Sequence, residues 1–138
     1  MNKLDVARTV LVVDDDAAEL ASTCKALGSS CTVLAATCGA DAVRIAAKST
    51  PDVIVLDVIM QGGKDGFGVF RELGDNPATS GIPVIFLTNV NEISGLSFGA
   101  GEVSRHLGRP PAAFLEKPVS TEVLVREVAK AVTRRPKR

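Results

Sequence analysis

Tryptophan and tyrosine are absent from the 138-residue chain, and histidine occurs once, at His106. Five phenylalanines are the whole aromatic complement, too few to make a base-stacking platform for nucleic acid. An excess of either charge is missing too: sixteen Lys and Arg balance sixteen Asp and Glu, so no basic field draws in a polyanion. No uninterrupted apolar run exceeds four residues, far short of a membrane span, and the opening Met1-Asn2-Lys3-Leu4-Asp5 carries no signal-peptide core. The expectation is a soluble, cytoplasmic protein with no nucleic-acid or membrane binding of its own. Cys24, Cys31 and Cys38 are odd in number and stand seven apart, which fits neither a disulfide framework nor a C-x-x-C metal knuckle. They are expected as free thiols, buried or half-buried, and His106 as a surface helix residue. A single imidazole leaves little material for zinc or serine-triad chemistry.

What the chain does have is one domain's worth of length and 46% hydrophobic residues. Short apolar runs recur, each closing on polar or turn residues and each followed by helical spacing, which is a βα alternation and predicts an α/β fold. Residues 9–13 form a largely β-branched run, as for a strand buried on both faces of a parallel sheet, and end in Asp14-Asp15-Asp16. Ala17, Leu20, Ala21, Cys24 and Leu27 then recur at helical steps, with Gly28 as the stop. A second strand is predicted over 31–36 and a helix over about 40–49, ended by Ser49-Thr50-Pro51. The third strand, 53–56, closes on Asp57, and after the glycine-rich loop 61–66 a short helix carries Phe67, Val69, Phe70 and Leu73. Strand four, 83–87, closes on Thr88-Asn89, and strand five, 112–115, closes on Glu116-Lys117-Pro118. Ser120 or Thr121 caps a last helix with Val123, Leu124, Val128, Ala131 and Val132 on one face. Between strands four and five, Gly95, Gly99, Gly101 and Gly108 interrupt the pattern, so one irregular helix is expected there.

Ligands of an open α/β sheet bind beyond the carboxyl ends of its strands. The residues to examine are therefore Asp14, Asp15, Asp57, Thr88 and Lys117. Carboxylates packed together raise one another's pKa unless a cation sits among them, and hard oxygen ligands favour Mg²⁺. With a phosphoryl group present, Thr88 can donate to one oxygen and Lys117 can neutralise another, as in phosphoryl transfer.

Val12-Val13-Asp14-Asp15, Val53-Ile54-Val55-Leu56-Asp57, Asp65-Gly66, the run from Pro83 to Thr88 and Phe114-Leu115-Glu116-Lys117-Pro118 resemble the receiver domain of two-component response regulators. The resemblance covers nearly the whole chain. It implies a flavodoxin-like (βα)5 doubly wound parallel sheet in strand order 2-1-3-4-5, flanked by five helices. It implies a phosphoryl group taken onto Asp57 from a histidine kinase or histidine phosphotransfer protein, and switched binding to a protein target downstream. Carried over position by position, Asp15 and Asp57 bind Mg²⁺, the main-chain carbonyl of Ile59 is a third ligand, and Asp14 holds a coordinating water. Thr88 and Lys117 contact the phosphoryl oxygens, with Lys117-Pro118 in cis. Thr88 and Phe114 form the switch, and Phe114, lacking a tyrosine hydroxyl, couples through packing alone. The resemblance implies self-catalysed transfer to Asp57 and autodephosphorylation, not the chemistry of an enzyme acting on others.

The chain departs from the family pattern in the loop after Asp57, one residue longer and with Gln61 where proline is common. It departs again in Asn89 and in a long, glycine-rich interval between Thr88 and Lys117. Ile59 and Val90, at positions that tune dephosphorylation, are apolar and cannot orient an attacking water, which predicts a long-lived phospho-Asp57. Residues 1–133 are expected to form the receiver, read as a stand-alone domain, and 134–138 a basic tail. Two other readings are open: a receiver-like scaffold not switched by phosphorylation, and a haloacid-dehalogenase-type phosphatase using the D-x-D of Asp14 and Asp16.

Overall fold

Residues 8–29, 31–58, 66–88 and 111–134 are described by the computed structural model, in the order β1 (Thr9–Val13), α1 (Ala17–Gly28), β2 (Thr32–Ala36), α2 (Gly39–Ser49), β3 (Val53–Asp57), α3 (Gly66–Gly74), β4 (Val84–Thr88), β5 (Ala113–Glu116) and α4 (Thr121–Arg134). The five strands form one parallel sheet in the order β2-β1-β3-β4-β5, the doubly wound α/β arrangement. β3 and β4 are buried at all five positions, which is why they read as continuous apolar runs.

The period-two alternation of the strands sorts the core into two layers. Leu11, Val13, Ile54, Leu56, Val84 and Phe86 pack with Ala42 and Ala46 of α2 and Val69, Phe70 and Leu73 of α3. Val10, Val12, Val53, Val55, Ile85 and Leu87 pack with Leu20 and Leu27 of α1 and Leu124, Val128 and Ala131 of α4. Phe86 lies 5.2 Å from Phe67 and from Phe70, edge to face, and 5.6 Å from Phe114 on β5.

Several boundaries differ from the sequence expectation for visible reasons. β2 begins at Thr32 because the Cys31 amide donates to Leu27 O at 3.1 Å, closing α1 instead of joining the ladder. β4 begins at Val84, since Pro83 offers only its carbonyl, which accepts from Ile54 N at 3.0 Å. Gly28 is the last residue of α1, with Ser29 as its C-cap. Thr50 ends α2 with a φ of 41°, a left-handed conformation uncommon for a β-branched residue, beside Pro51, which disfavours the helical region there. Ser120 is the cap of α4, its Oγ accepting from Val123 N at 3.1 Å. Cys24 and Cys31 are half-buried against the α1 side of the core, whereas Cys38, expected buried or half-buried, is exposed at the N-cap position of α2, where its side chain makes no capping bond. The expected helix between β4 and β5, His106, the loop 61–65 and the tail 135–138 lie outside the described residues.

Candidate functional site: a carboxylate rim with one shared ammonium

Parallel strands bring all their carboxyl ends to the same edge. β1 runs out at Val13 and delivers Asp14 and Asp15; β3 ends on Asp57, β4 on Thr88, and β5 is followed by Lys117. Backbone hydrogen bonds continue the ladder past the strands: Asp14 N donates to Ala36 O (3.1 Å), Val58 N to Leu87 O (3.0 Å) and Lys117 N to Thr88 O (2.7 Å). The site residues are thus held by the sheet itself.

Asp14, Asp57 and Thr88 are buried polar groups, 3%, 5% and 1% exposed. Carboxylate oxygens of Asp14, Asp15 and Asp57 lie within 4.8 Å of one another. Into this cluster reaches the Lys117 ammonium, 3.3 Å from Asp57 Oδ1 and 3.5 Å from Asp14 Oδ2, with a third partner in the Glu19 carboxylate on the first turn of α1. The Lys117-Pro118 peptide is cis.

Burial is the leading cause that raises the Asp14 carboxyl above its ordinary value. The Asp16 N–H bond to Asp14 Oδ1 (2.9 Å) and the Lys117 charge work the other way, and Glu19 adds to the rise. Repulsion among Asp14, Asp15 and Asp57, the cause expected from sequence, is not what raises Asp14: burial leads, and the repulsive charge is that of Glu19. For Lys117, burial opposes the charge, but the hydrogen bond to Glu19 and the charges of Asp57 and Asp14 outweigh it and hold the ammonium above its ordinary value. Lys117 is a fixed positive charge across the physiological range.

A three-carboxylate, all-oxygen set suits a hard divalent cation. The Thr88 hydroxyl fits an incoming oxyanion: Oγ1 is buried and has no hydrogen-bond partner among the described residues. Such an orphan is costly and marks a site where a ligand completes the bonding. Gly66 is equally specific, because a Cβ there would stand 2.3 Å from the carbonyl oxygen of Asp57 and 2.8 Å from Val58 Cα. Only glycine lets α3 start against the backbone of β3, where Gly66 N donates to Val58 O at 2.8 Å.

The sheet brings Asp14, Asp15, Asp57, Thr88 and Lys117 to one rim. Phe114 is half-buried on β5 as the direct register partner of Phe86, two positions before the Thr88 and Glu116 pair. Ile59 and Val90 lie outside the described residues. Asp16, the second acid of the D-x-D reading, is exposed and serves as the N-cap of α1, its Oδ1 accepting from Glu19 N at 3.0 Å. Glu19 itself was missed, because a glutamate in the exposed first turn of a helix reads as solvated surface. The available signal was positional: α1 starts at the rim, so its first turn also projects there.

Fold and site together define a receiver: residues 10–129 match the response regulator receiver domain, and the chain belongs to that family. It is similar to Protein PilH of Pseudomonas aeruginosa, 32% identical over 120 residues that cover 86% of this chain and 93% of PilH. Response regulator PleD of Caulobacter vibrioides is 38% identical over 94 residues, 65% of this chain and 18% of PleD, so this chain matches only a small part of that protein. Among solved structures, the signal receiver domain of a signal transduction histidine kinase from Syntrophus aciditrophicus has a TM-score of 0.75 at 28% identity, with 95% of this chain and 96% of that one covered. The family is one of regulators, and among the described residues no helix is long and apolar enough to cross a membrane.

Proposed function

We propose that this receiver accepts a phosphoryl group on Asp57 from the phosphohistidine of a histidine kinase or histidine phosphotransfer protein, and that the acyl phosphate switches its binding to a downstream protein. The observation that carries this reading is Asp57 itself: a carboxylate 5% exposed, grouped with Asp14 and Asp15 and 3.3 Å from the Lys117 ammonium. Asp14, Asp15 and Asp57 would hold Mg²⁺, which when bound neutralises charge on the carboxylates and the phosphoryl oxygens. The Ile59 carbonyl is the further ligand that the family pattern implies.

An oxygen of Asp57 attacks phosphorus as the bond to the donor imidazole nitrogen breaks. Lys117 neutralises one phosphoryl oxygen, and Thr88 Oγ1 donates to another. Satisfying that buried hydroxyl supplies the pull on β4, and Phe114, packed on Phe86, adjusts by packing. Residues 1–133 act as the receiver in this reading, in a cytoplasmic protein; Arg134, expected in the basic tail, closes α4 and leaves 135–138 as the tail.

The test is incubation with a small acyl-phosphate donor and Mg²⁺, followed by intact mass. One phosphoryl adduct is expected, lost with EDTA and in Asp57→Ala. An adduct that survives in Asp57→Ala overturns the assignment. The apolar Ile59 and Val90 predict a long-lived adduct, and a half-life of seconds in Mg²⁺ buffer would remove that part.

A further inference from the structure

Lys117 has one ammonium and three carboxylates around it, and the three are not alike. Asp14 and Asp57 belong to the buried rim, at 3.5 and 3.3 Å. Glu19 belongs to α1: its side chain is 49% exposed, against 17% for Lys117, and its backbone amide is tied to the capping Asp16. Glu19 and Lys117 are among the residues that line a cleft of about 830 Å³ between α1 and α4, with Thr23, Val119 and Leu124.

An ammonium and a divalent cation compete for the same carboxylate oxygens. Whatever draws Lys117 off the rim therefore favours the metal, and Glu19 is placed to do that, accepting from Nζ with a side chain 49% exposed, against 4% for Asp14 and 6% for Asp57. We propose that Glu19 is a positioning residue for Lys117: it draws the ammonium toward α1 and leaves Asp14, Asp15 and Asp57 available to a divalent cation. The proposal rests on the metal reading of the rim, not on phosphoryl transfer. Glu19 touches neither metal nor phosphoryl group; it acts through Lys117. The acidity of α1's first turn thus becomes a determinant of metal affinity, in addition to favouring the helix N-terminus.

The test is a Mg²⁺ titration of the unphosphorylated protein by calorimetry, in a double-mutant cycle of Glu19→Gln and Lys117→Met. Glu19→Gln is expected to weaken Mg²⁺ binding about two- to fivefold, the range for a half-exposed ion pair. Lys117→Met is expected to tighten it by removing the competitor. In the Lys117→Met background, Glu19→Gln should then change almost nothing. Equal weakening in both backgrounds means that Glu19 acts only as a distant negative charge and overturns the proposal. So does unchanged affinity in Glu19→Gln while Asp57→Asn weakens binding. A wild-type chain that takes up no Mg²⁺ overturns the metal reading itself, a result distinct from either. Far-UV circular dichroism of each variant checks that the fold is intact.

Discussion

Two buried threonines, each 1% exposed, stand at opposite ends of the sheet and are treated in opposite ways. Thr79, before β4, donates its hydroxyl to Leu73 O at 2.7 Å and ties the end of α3 to the turn that follows. Thr88, at the carboxyl end of β4, has no partner for its hydroxyl among the described residues. The aspartates repeat the contrast: Asp52 spends its carboxylate on the Thr9 amide at 3.0 Å, whereas Asp14, Asp15 and Asp57 are gathered within 4.8 Å of one another. At the amino end these polar side chains stabilise the backbone. At the carboxyl rim the Thr88 hydroxyl lacks a partner among the described residues and the buried carboxylates share one ammonium, at a cost in stability that the core beneath must cover.

The comparison can be broken by substitution. The largest effect is expected for Gly66→Ala, whose Cβ would overlap the Asp57 carbonyl: a loss of about 2–3 kcal/mol in urea unfolding, since the obstacle is backbone. Lys117→Met should cost about 2 kcal/mol in EDTA, because two buried carboxylates lose their counter-charge, and Mg²⁺ should restore part of it in a thermal melt. A melt unmoved by Mg²⁺ would mean that the rim does not bind the ion. Thr79→Val should lose about 1–2 kcal/mol, while Thr88→Val in EDTA should be neutral or gain up to about 1 kcal/mol. Equal losses at the two positions would erase the distinction between the ends. The smallest effect concerns the α1 flank. Burial raises the Cys24 and Cys31 thiols, leaving less thiolate at a given pH, so iodoacetamide at pH 8 should label exposed Cys38 first. Raising the pH through the ordinary thiol range should narrow that gap as the buried thiols ionise.

The contrast also explains what the sequence made legible. Strands buried on both faces must be apolar throughout, so a polar residue at their end is conspicuous, and Asp14, Asp57 and Thr88 could be picked out with the right neighbours. Lys117 followed for the same reason. The strand order was not contained in periodicity and came from the family resemblance, because alternation says which face is buried and not which strand is adjacent. Glu19 was invisible because its importance lies in a contact 98 residues away, and an acidic residue near a helix start already has a sufficient local reason to be there. Cys38 misled in the other direction, because a cysteine's usual burial carried no information about its place at the mouth of α2.

The 2.7 Å bond from Lys117 N to Thr88 O has a mechanical consequence. The residues whose hydroxyl and ammonium are assigned to the phosphoryl group stand on adjoining strands joined by that rung, so a backbone shift of either one loads the bond between them. The β4–β5 edge is therefore a strain gauge wired into the site, and the exchange rate of one amide proton, that of Lys117, would report which way the gauge is deflected.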